Sequence, residues 1–439
     1  MVRTMWSIRM VKWLKNNRMK KIITIGIAAV LMSCNAEKTE TEVKVPNETL
    51  IVSSKGKLFN FNLETKQLTW KYVSKEDTLM NRNRFSYDEN SIYLPFESGR
   101  LISAQIVSGK INWNHNYKDA PDQVMDAAVS ADGTIITENS GSDFGPIFMS
   151  KPLLYNNNVY IASAGRPGEF TSRFYVINAK NGNTSSTSEN STNYNYYQPV
   201  QNSDNIYLNS AVYLDLYYKE GTFASNGMYE GAAFENPLYT QMQTSKKYLF
   251  VGDDYGVFHA LAVNEKGLAK GGDITNPKNN FIDRKDIFEW TYQSKKYPGL
   301  GDDQTSLTND LFIVCKKSED ESKMALIALD AQSGKEKWLF EPQDMIKNWQ
   351  VVNQNEVLGY TKNKIFVVDL KGKTTLEIPI DTSLYPVSNI EVNAKEQLLY
   401  MTGKGIVSID RSSKKAELLI NHTFYPSSIP LNQIKYFSK

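Results

Sequence analysis

The chain has 439 residues, with 50 basic and 48 acidic side chains and a formal charge of +2. Seven of the basic residues and no acidic residue lie in residues 1–33, so residues 34–439 hold 43 basic and 48 acidic side chains, a charge of −5. This balance, without a lysine or arginine cluster beyond residue 33, argues against a surface that tracks nucleic-acid phosphates.

An apolar segment of eleven residues, 22–32, follows these basic residues. It is shorter than the roughly 20 residues that cross a membrane, but it has the length of the apolar part of a signal peptide. The tetrapeptide 31–34, Leu-Met-Ser-Cys, resembles the lipobox of bacterial lipoproteins, whose cysteine receives a diacylglycerol. We therefore predict a cleaved signal peptide over residues 1–33 and lipidation of Cys34. A plain secretory signal is the alternative, and Met10 or Met19 are alternative starts.

Residues 35–48 are polar and have no hydrophobic period, which predicts a flexible tether of at most about 45 Å. From residue 49 onward, short runs of strand-forming residues alternate with Gly, Asn, Asp and Ser. A helical period is almost absent. This pattern predicts an all-β domain over residues 49–439.

A short motif recurs along this domain. Its clearest copies end at Trp113 and Trp338 and share the sequence Ser-Gly-Lys-x-x-Trp, which includes Gly109 and Gly334. Trp70 and Trp113 are 43 residues apart, and Trp290 and Trp338 are 48 apart. Repeats of about 40–50 residues with several strands each are typical of β-propeller blades. The other copies are looser: one ends at Trp70, three begin at Tyr175, Phe366 and Ile406, and one begins at Phe258 and resumes at Asp286–Trp290 after an insertion.

The motif resembles the pyrroloquinoline-quinone-like β-propeller repeat, Ala-x-Asp-x-x-Thr-Gly-Lys-x-x-Trp, over roughly residues 50–420. The resemblance implies that the tryptophans pack between neighbouring blades and do not form a cofactor box. It predicts a β-propeller of seven four-stranded blades. An eighth blade has room between Gly182 and Phe258, where the spacing is too long for one blade. The tryptophans that the resemblance places between neighbouring blades are Trp70, Trp113, Trp290 and Trp338.

The stretch 184–240 contains nine of the 25 tyrosines. One interpretation is an elaborated blade whose loops present Tyr194, Tyr196 and Tyr197 to a partner or a glycan, because tyrosine combines a large contact area with a polar tip. The other is a decayed blade with ordinary strand tyrosines. Both stay open on the sequence alone.

No catalytic constellation is recognisable. His115, His259 and His422 fall in three different repeats, without the spacing of metal ligands. Quinoprotein dehydrogenases of the same repeat family hold their cofactor with a vicinal disulfide and a calcium site. This chain departs from that pattern, because Cys315 is its only cysteine besides Cys34. We therefore predict no catalytic residue, no cofactor and no metal.

The sequence predicts a membrane-anchored, non-enzymatic interaction scaffold of the bacterial cell envelope. In fold and anchor it is similar to the propeller lipoprotein of the outer-membrane β-barrel assembly machinery, which implies an envelope protein partner and a role in outer-membrane protein assembly. An envelope protein that binds a glycan or small ligand is the alternative, and a quinone-dependent dehydrogenase ranks last. We expect a monomer anchored by lipid in the outer membrane, without a nucleic-acid partner and on a side that the sequence does not decide.

Overall fold

The computed structural model describes residues 47–75, 77, 84–117, 125–129, 135–139, 146–164, 172–190, 195–211, 213–226, 236–264, 267–268, 288–424 and 432–438. These residues form eight antiparallel sheets of four main strands, which we number as blades 1 to 8 in chain order, and one two-stranded hairpin.

The first four blades have the following strands. Blade 1 contains β1 (Glu48–Ser54), β2 (Lys57–Asn62), β3 (Gln67–Val73) and the C-terminal strand β35 (Gln433–Ser438). Blade 2 contains β4 (Ser86–Tyr87), β5 (Ser91–Pro95), β6 (Arg100–Gln105) and β7 (Ile111–Asn116), and is followed by the hairpin β8 (Met125–Val129) and β9 (Ile135–Asn139). Blade 3 contains β10 (Leu153–Tyr155), β11 (Asn158–Ala162), β12 (Arg173–Asn178) and β13 (Thr184–Glu189). Blade 4 contains β14 (Val200–Asn202), β15 (Asn205–Ser210), β16 (Tyr213–Tyr218) and β17 (Phe223–Asn226).

The other four blades continue this pattern. Blade 5 contains β18 (Gln243–Thr244), β19 (Tyr248–Gly252), β20 (Phe258–Asn264) and β22 (Phe288–Tyr292), with the short β21 (Gly267–Leu268) paired to the end of β20. Blade 6 contains β23 (Gly299–Thr308), β24 (Leu311–Lys317), β25 (Met324–Asp330) and β26 (Glu336–Phe340). Blade 7 contains β27 (Ile346–Val352), β28 (Glu356–Thr361), β29 (Lys364–Asp369) and β30 (Thr374–Pro379). A 3₁₀ helix (Thr382–Leu384) leads to blade 8, which contains β31 (Ile390–Val392), β32 (Leu398–Thr402), β33 (Gly405–Ile409) and β34 (Ala416–Asn421).

Each blade is a meander in which consecutive strands pair. The first strands of neighbouring blades lie beside one another, for example β18 beside β14 and β23, so these strands surround a central channel. The first and third turns of a blade lie at one end of its strands, which we name the turn face. The second turn and the blade-to-blade connection lie at the opposite end, which we name the connection face.

The middle strands of the blades are buried on both sides. Every residue of β5, β15, β32 and β33 is buried, whereas the fourth strands, such as β3, are largely exposed. A strand covered by neighbours on both faces loses the alternation of a half-exposed strand and becomes a continuous apolar run. Eight hydrophobic clusters result, one at each junction between neighbouring blades.

The four tryptophans of the motif lie at blade junctions. Each indole Nε1 donates a hydrogen bond to a carbonyl of the next blade, as Trp338 does to Leu370 at 2.9 Å. Each ring also covers the glycine in the third turn of that next blade, where a Cβ atom would come within 2.5–2.6 Å of the tryptophan. The glycine of the motif therefore gives room to the tryptophan of the preceding blade. The other bonds run from Trp70 to Ile106, Trp113 to Ala179 and Trp290 to Ala331, and the glycines are Gly109, Gly182, Gly334 and Gly372.

The prediction of an all-β propeller is confirmed, but the number of blades is eight and not seven. The additional blade is blade 4, which lies within the interval between Gly182 and Phe258. Its fourth strand and that of blade 3 contain no tryptophan, so the motif gives no signal there. Tyr207 and Tyr217 are buried strand residues of this blade, as the decayed-blade interpretation requires.

The C-terminal strand closes the ring. β35 supplies the first strand of blade 1 and pairs with β1, so that Ser438 lies opposite Glu48. The Tyr436 hydroxyl donates to the Glu48 carboxylate at 2.7 Å. The repeat did not predict this strand, because residues 433–438 carry no copy of the motif.

Candidate functional site

The channel is surrounded by a ring of polar side chains. At all eight junctions, a side chain in a first strand, or just before it, bonds to the backbone of the adjoining first strand or of the segment leading into it. Six of these side chains are glutamines, and each satisfies a polar backbone group of the adjoining blade. From blade 1 onward, the pairs are Gln433 with Phe85, Ser86 with Pro152, Gln198 with Pro152, Gln241 with Gln198, Gln243 with Thr305, Gln304 with Trp349, Gln350 with Ile390, and Asn389 with Ile434.

One position of this ring differs between blades. Gln198 and Gln241 lie two residues before the first strands of blades 4 and 5. Each side chain bonds to the backbone of the preceding blade, Gln198 to Pro152 and Gln241 to Gln198. The same position, two residues before β4 and β10, holds Arg84 in blade 2 and Lys151 in blade 3. Two adjacent blades therefore carry a cation where the next two carry an amide.

Arg84 and Lys151 line a cavity of about 670 Å³ that extends along the first strands of blades 7, 8 and 1. Lys435 and Glu391 also line it and form an ion pair of 2.9 Å. Burial raises the pKa of Glu391. It would lower the pKa of Lys435, but attraction and hydrogen bonds to Glu391 and Tyr87 together outweigh this effect and raise that pKa. Burial, with repulsion from Arg84 and Lys435, lowers the pKa of Lys151 and outweighs its attraction to Glu391.

Two tyrosines are prominently exposed on the connection face of blade 5. Tyr239 precedes β18 and is 51% exposed, and Tyr255 lies in the turn between β19 and β20 and is 63% exposed. Their segments are hydrogen-bonded to each other, since the Tyr239 amide donates to the Gly252 carbonyl at 2.9 Å. The two rings therefore belong to one small surface, which we name the tyrosine patch.

The turn that carries Tyr255 is held on several sides. The Asp253 carboxylate accepts from the Val257 amide at 2.8 Å. The ammonium group of Lys316, a fully buried residue of blade 6, donates to the Gly256 carbonyl and also to Gln293. Burial lowers the pKa of Lys316 to about 7. A turn fixed in this way presents its tyrosine with little loss of conformational entropy on binding.

The tyrosines predicted to bind a partner have different positions. Tyr194 lies outside the described residues, and Tyr196 is half-buried. Tyr197 is only 5% exposed, and its hydroxyl donates to the Tyr239 carbonyl at 2.9 Å. Tyr197 thus supports the segment that carries Tyr239, and its ring is not available to a partner.

The insertion that interrupts the repeat of blade 5, residues 267–285, begins on the turn face. The chain leaves blade 5 for the insertion at the end of β20, where β21 pairs with Val263 and Asn264. The tyrosine patch is on the connection face. The rest of the insertion lies outside the described residues.

The three histidines lie in separate blades and pack against aromatic rings. His115 contacts Trp113, and His422 contacts Phe59. His259 stacks on Phe288 with ring centroids 4.3 Å apart, and burial lowers its pKa to about 4. Within the described part of the chain, no three His, Cys, Asp or Glu side chains are grouped to hold a metal ion.

A quinone site of the dehydrogenase type does not fit this chain. Its vicinal disulfide needs two adjacent cysteines, whereas Cys315 is single and buried in β24. Cys34 lies outside the described residues. No helix among the residues that the structure describes is long and apolar enough to span a membrane.

Comparison with known proteins agrees with this architecture. The model of one protein family, described as outer membrane protein assembly factor BamB, matches residues 35–223. No curated protein gives a significant match to the sequence.

Solved structures share the fold at low sequence identity. BamB from Moraxella catarrhalis is 11% identical, with a TM-score of 0.52 over 84% of this chain and 94% of its own. Apo AztD from Citrobacter koseri is 11% identical, with a TM-score of 0.56 over 89% and 98%. Quinohemoprotein alcohol dehydrogenase from Comamonas testosteroni is 12% identical, with a TM-score of 0.56 over 82% and 70%. The chain is an eight-bladed β-propeller, and its residues 35–223 are similar to the family of the outer membrane protein assembly factor BamB.

Proposed function

We propose that this protein is a membrane-anchored, non-enzymatic scaffold that takes part in outer-membrane protein assembly. The observation that carries the proposal is the match of residues 35–223 to the family of the outer membrane protein assembly factor BamB. The eight blades commit their middle strands to packing against each other. Binding to a partner therefore falls to the loops, which tolerate variation without loss of the fold.

The tyrosine patch is the partner surface that we propose. Tyr239 and Tyr255 are 51% and 63% exposed on hydrogen-bonded segments of the connection face. Tyrosine is enriched in protein interfaces because its ring buries a large apolar area while its hydroxyl keeps a polar contact. The partner role of Tyr194 and Tyr196 stays a prediction.

Cross-linking in cells tests the patch. A photoreactive phenylalanine analogue replaces Tyr239 or Tyr255, and Tyr218 is the matched control. Tyr218 is 45% exposed, but it ends β16 on the turn face. We expect cross-links to an outer-membrane assembly protein from the two patch positions and none from Tyr218. Equal cross-linking from Tyr218, or none from the patch, contradicts the proposed surface.

The anchor is tested separately. In the proposed arrangement, the signal peptide covers residues 1–33, Cys34 carries the lipid, and residues 35–48 are the tether. Cys34→Ala should move the protein from the outer-membrane fraction to the soluble fraction, or leave it unprocessed, because its anchor is lost. A processed, unacylated Cys34→Ala protein that still fractionates with membranes refutes the lipid anchor.

A further inference from the structure

Two cations of the channel, Arg84 and Lys151, lack a directly bonded carboxylate among the described residues. Arg84 and Lys151 form no hydrogen bond or ion pair with any residue that the structure describes. Glu391 lines the same cavity and attracts Lys151, but it is already paired with Lys435 at 2.9 Å and accepts from Asn389. The other carboxylate of the cavity, Glu396, lies 3.9 Å from Arg411. The channel therefore holds an excess of positive charge within a domain whose sequence is acidic overall.

Arg84 and Lys151 are not needed to close the ring of polar side chains around the channel. At the same position, the Gln198 side chain donates to the Pro152 carbonyl of the preceding blade at 2.8 Å. The Gln241 side chain bonds to the Gln198 backbone of its preceding blade at 2.9 and 3.0 Å. The junction between blades 1 and 2 is closed instead by Gln433, and that between blades 2 and 3 by Ser86. Arg84 and Lys151 are thus dispensable for closing the ring, although they face the channel at some electrostatic cost.

We propose that the connection-face end of the channel binds a small anion whose carboxylate or phosphate oxygens are held by Arg84 and Lys151. The guanidinium group of arginine binds two oxygens at once, whereas the ammonium group of lysine acts as a compact point charge. Together they suit a ligand with at least two anionic oxygens. The ligand adds negative charge to a cavity that is lined by three cations, Arg84, Lys151 and Lys435, but by only two carboxylates.

The cavity has the size and the lining for such a ligand. Its volume of about 670 Å³ lies within the range of small-molecule sites. Beside the cations it is lined by neutral amides such as Asn348 and Gln350, which can bond to hydroxyl or carbonyl groups. A bound anion also offsets the repulsion that Arg84 and Lys435 exert on Lys151.

Isothermal titration calorimetry of the full chain in mild detergent tests this site. Citrate and pyrophosphate are titrated at low ionic strength, and glucose serves as the neutral comparison. We expect saturable binding of citrate, pyrophosphate or both, and none of glucose. Binding of only one anion assigns the ligand to carboxylates or to phosphates.

Matched variants locate the site. Lys151→Gln and Arg84→Gln should each weaken binding about tenfold or more, since each removes a charge-assisted hydrogen bond. Arg84 is exposed, so its replacement leaves the fold intact even if Lys151→Gln unfolds. The control is Lys373→Gln, an exposed lysine in the third turn of blade 7.

Two results overturn the proposal. One is the absence of saturable binding by either anion. The other is an affinity that Arg84→Gln leaves unchanged, or that Lys373→Gln lowers equally. Neither result bears on the tyrosine patch, which lies on surface loops and is tested by cross-linking.

Discussion

The contact between Gly334 and Trp290 makes the packing between blades testable. Gly334 lies in the third turn of blade 6 with φ +67°, and the indole of Trp290 in blade 5 covers it. A Cβ atom added at Gly334 would lie 2.6 Å from Cδ2 and 2.7 Å from Cε3 of that indole. Gly334→Ala therefore combines backbone strain in the turn with a steric clash across the junction.

The two contributions can be estimated separately. A left-handed conformation costs an L-residue about 1–2 kcal/mol, and overpacking costs about 1–3 kcal/mol. Gly334→Ala should thus lower the free energy of unfolding by about 2–5 kcal/mol. A domain of about 390 residues has an unfolding entropy of about 0.8 kcal/mol/K, so Tm should fall by about 2–6 °C.

A double-mutant cycle with Trp290→Ala separates the contributions, measured as Tm by differential scanning calorimetry. Without the indole, Gly334→Ala should retain only the backbone cost, about 1–2 kcal/mol. The control is Lys66→Ala in the corresponding turn of blade 1, where the residue already adopts φ +57°, so the backbone cost is absent. An equal effect of Gly334→Ala with and without Trp290 would refute the proposed contact.

Two further predictions concern polar groups that bond across blade junctions. Gln241→Leu removes the side-chain amide that bonds to the backbone N–H and carbonyl of Gln198 at 2.9 and 3.0 Å, so Tm should fall by about 1–4 °C. The control, Gln332→Leu at an exposed position, should leave Tm unchanged. Equal melting of the two variants contradicts a role of the ring of polar side chains in stability. Burial raises the pKa of Asp302 to about 7, and its carboxylate accepts from the Trp349 indole at 2.8 Å. Because the folded state then binds this proton more tightly than the unfolded state, the stabilisation is complete below about pH 4 and is lost as the pH rises through 7. Thermal melts from pH 5 to pH 8 should show a smaller decline in Asp302→Asn than in the wild type, and parallel declines would contradict this assignment.

The blades that carry tryptophan were predictable because the motif contains both residues of the contact between blades: its tryptophan packs on the glycine of the next copy. Trp290 and Gly334 belong to successive copies, so a local pattern reports a junction between blades. Blade 3 replaces the tryptophan with small residues, and the glycine of the next turn, Gly221, instead lies against Val176 and Ser186. Packing there depends on the buried middle strands, which have no distinctive spacing, so blade 4 could be located only as a gap.

The candidate sites were harder to predict, because they depend on register. Arg84 and Lys151 are 67 residues apart and look like ordinary surface cations until the strands place them at equivalent positions of the ring. Tyr239 was among the tyrosines counted in the sequence, but its exposure, and the burial of Tyr197 beneath it, follow from contacts between blades 4 and 5. A single sequence carries no signal for either distinction.

The strand that completes blade 1 makes closure of the ring a late event in synthesis. Glu48 and Ser438 are paired although they are 390 positions apart in the sequence, so the ring cannot close before residues 433–438 have been made. Until then, β1 lacks a partner along one edge, and an open strand edge is a template for aggregation. Contacts between such distant residues also form slowly, since a long loop must be ordered first. A chain that ends before residue 432 would retain seven complete blades, and β1 of blade 1 would keep an unpaired edge. Chaperones and proteases could bind such a prematurely terminated chain at this edge.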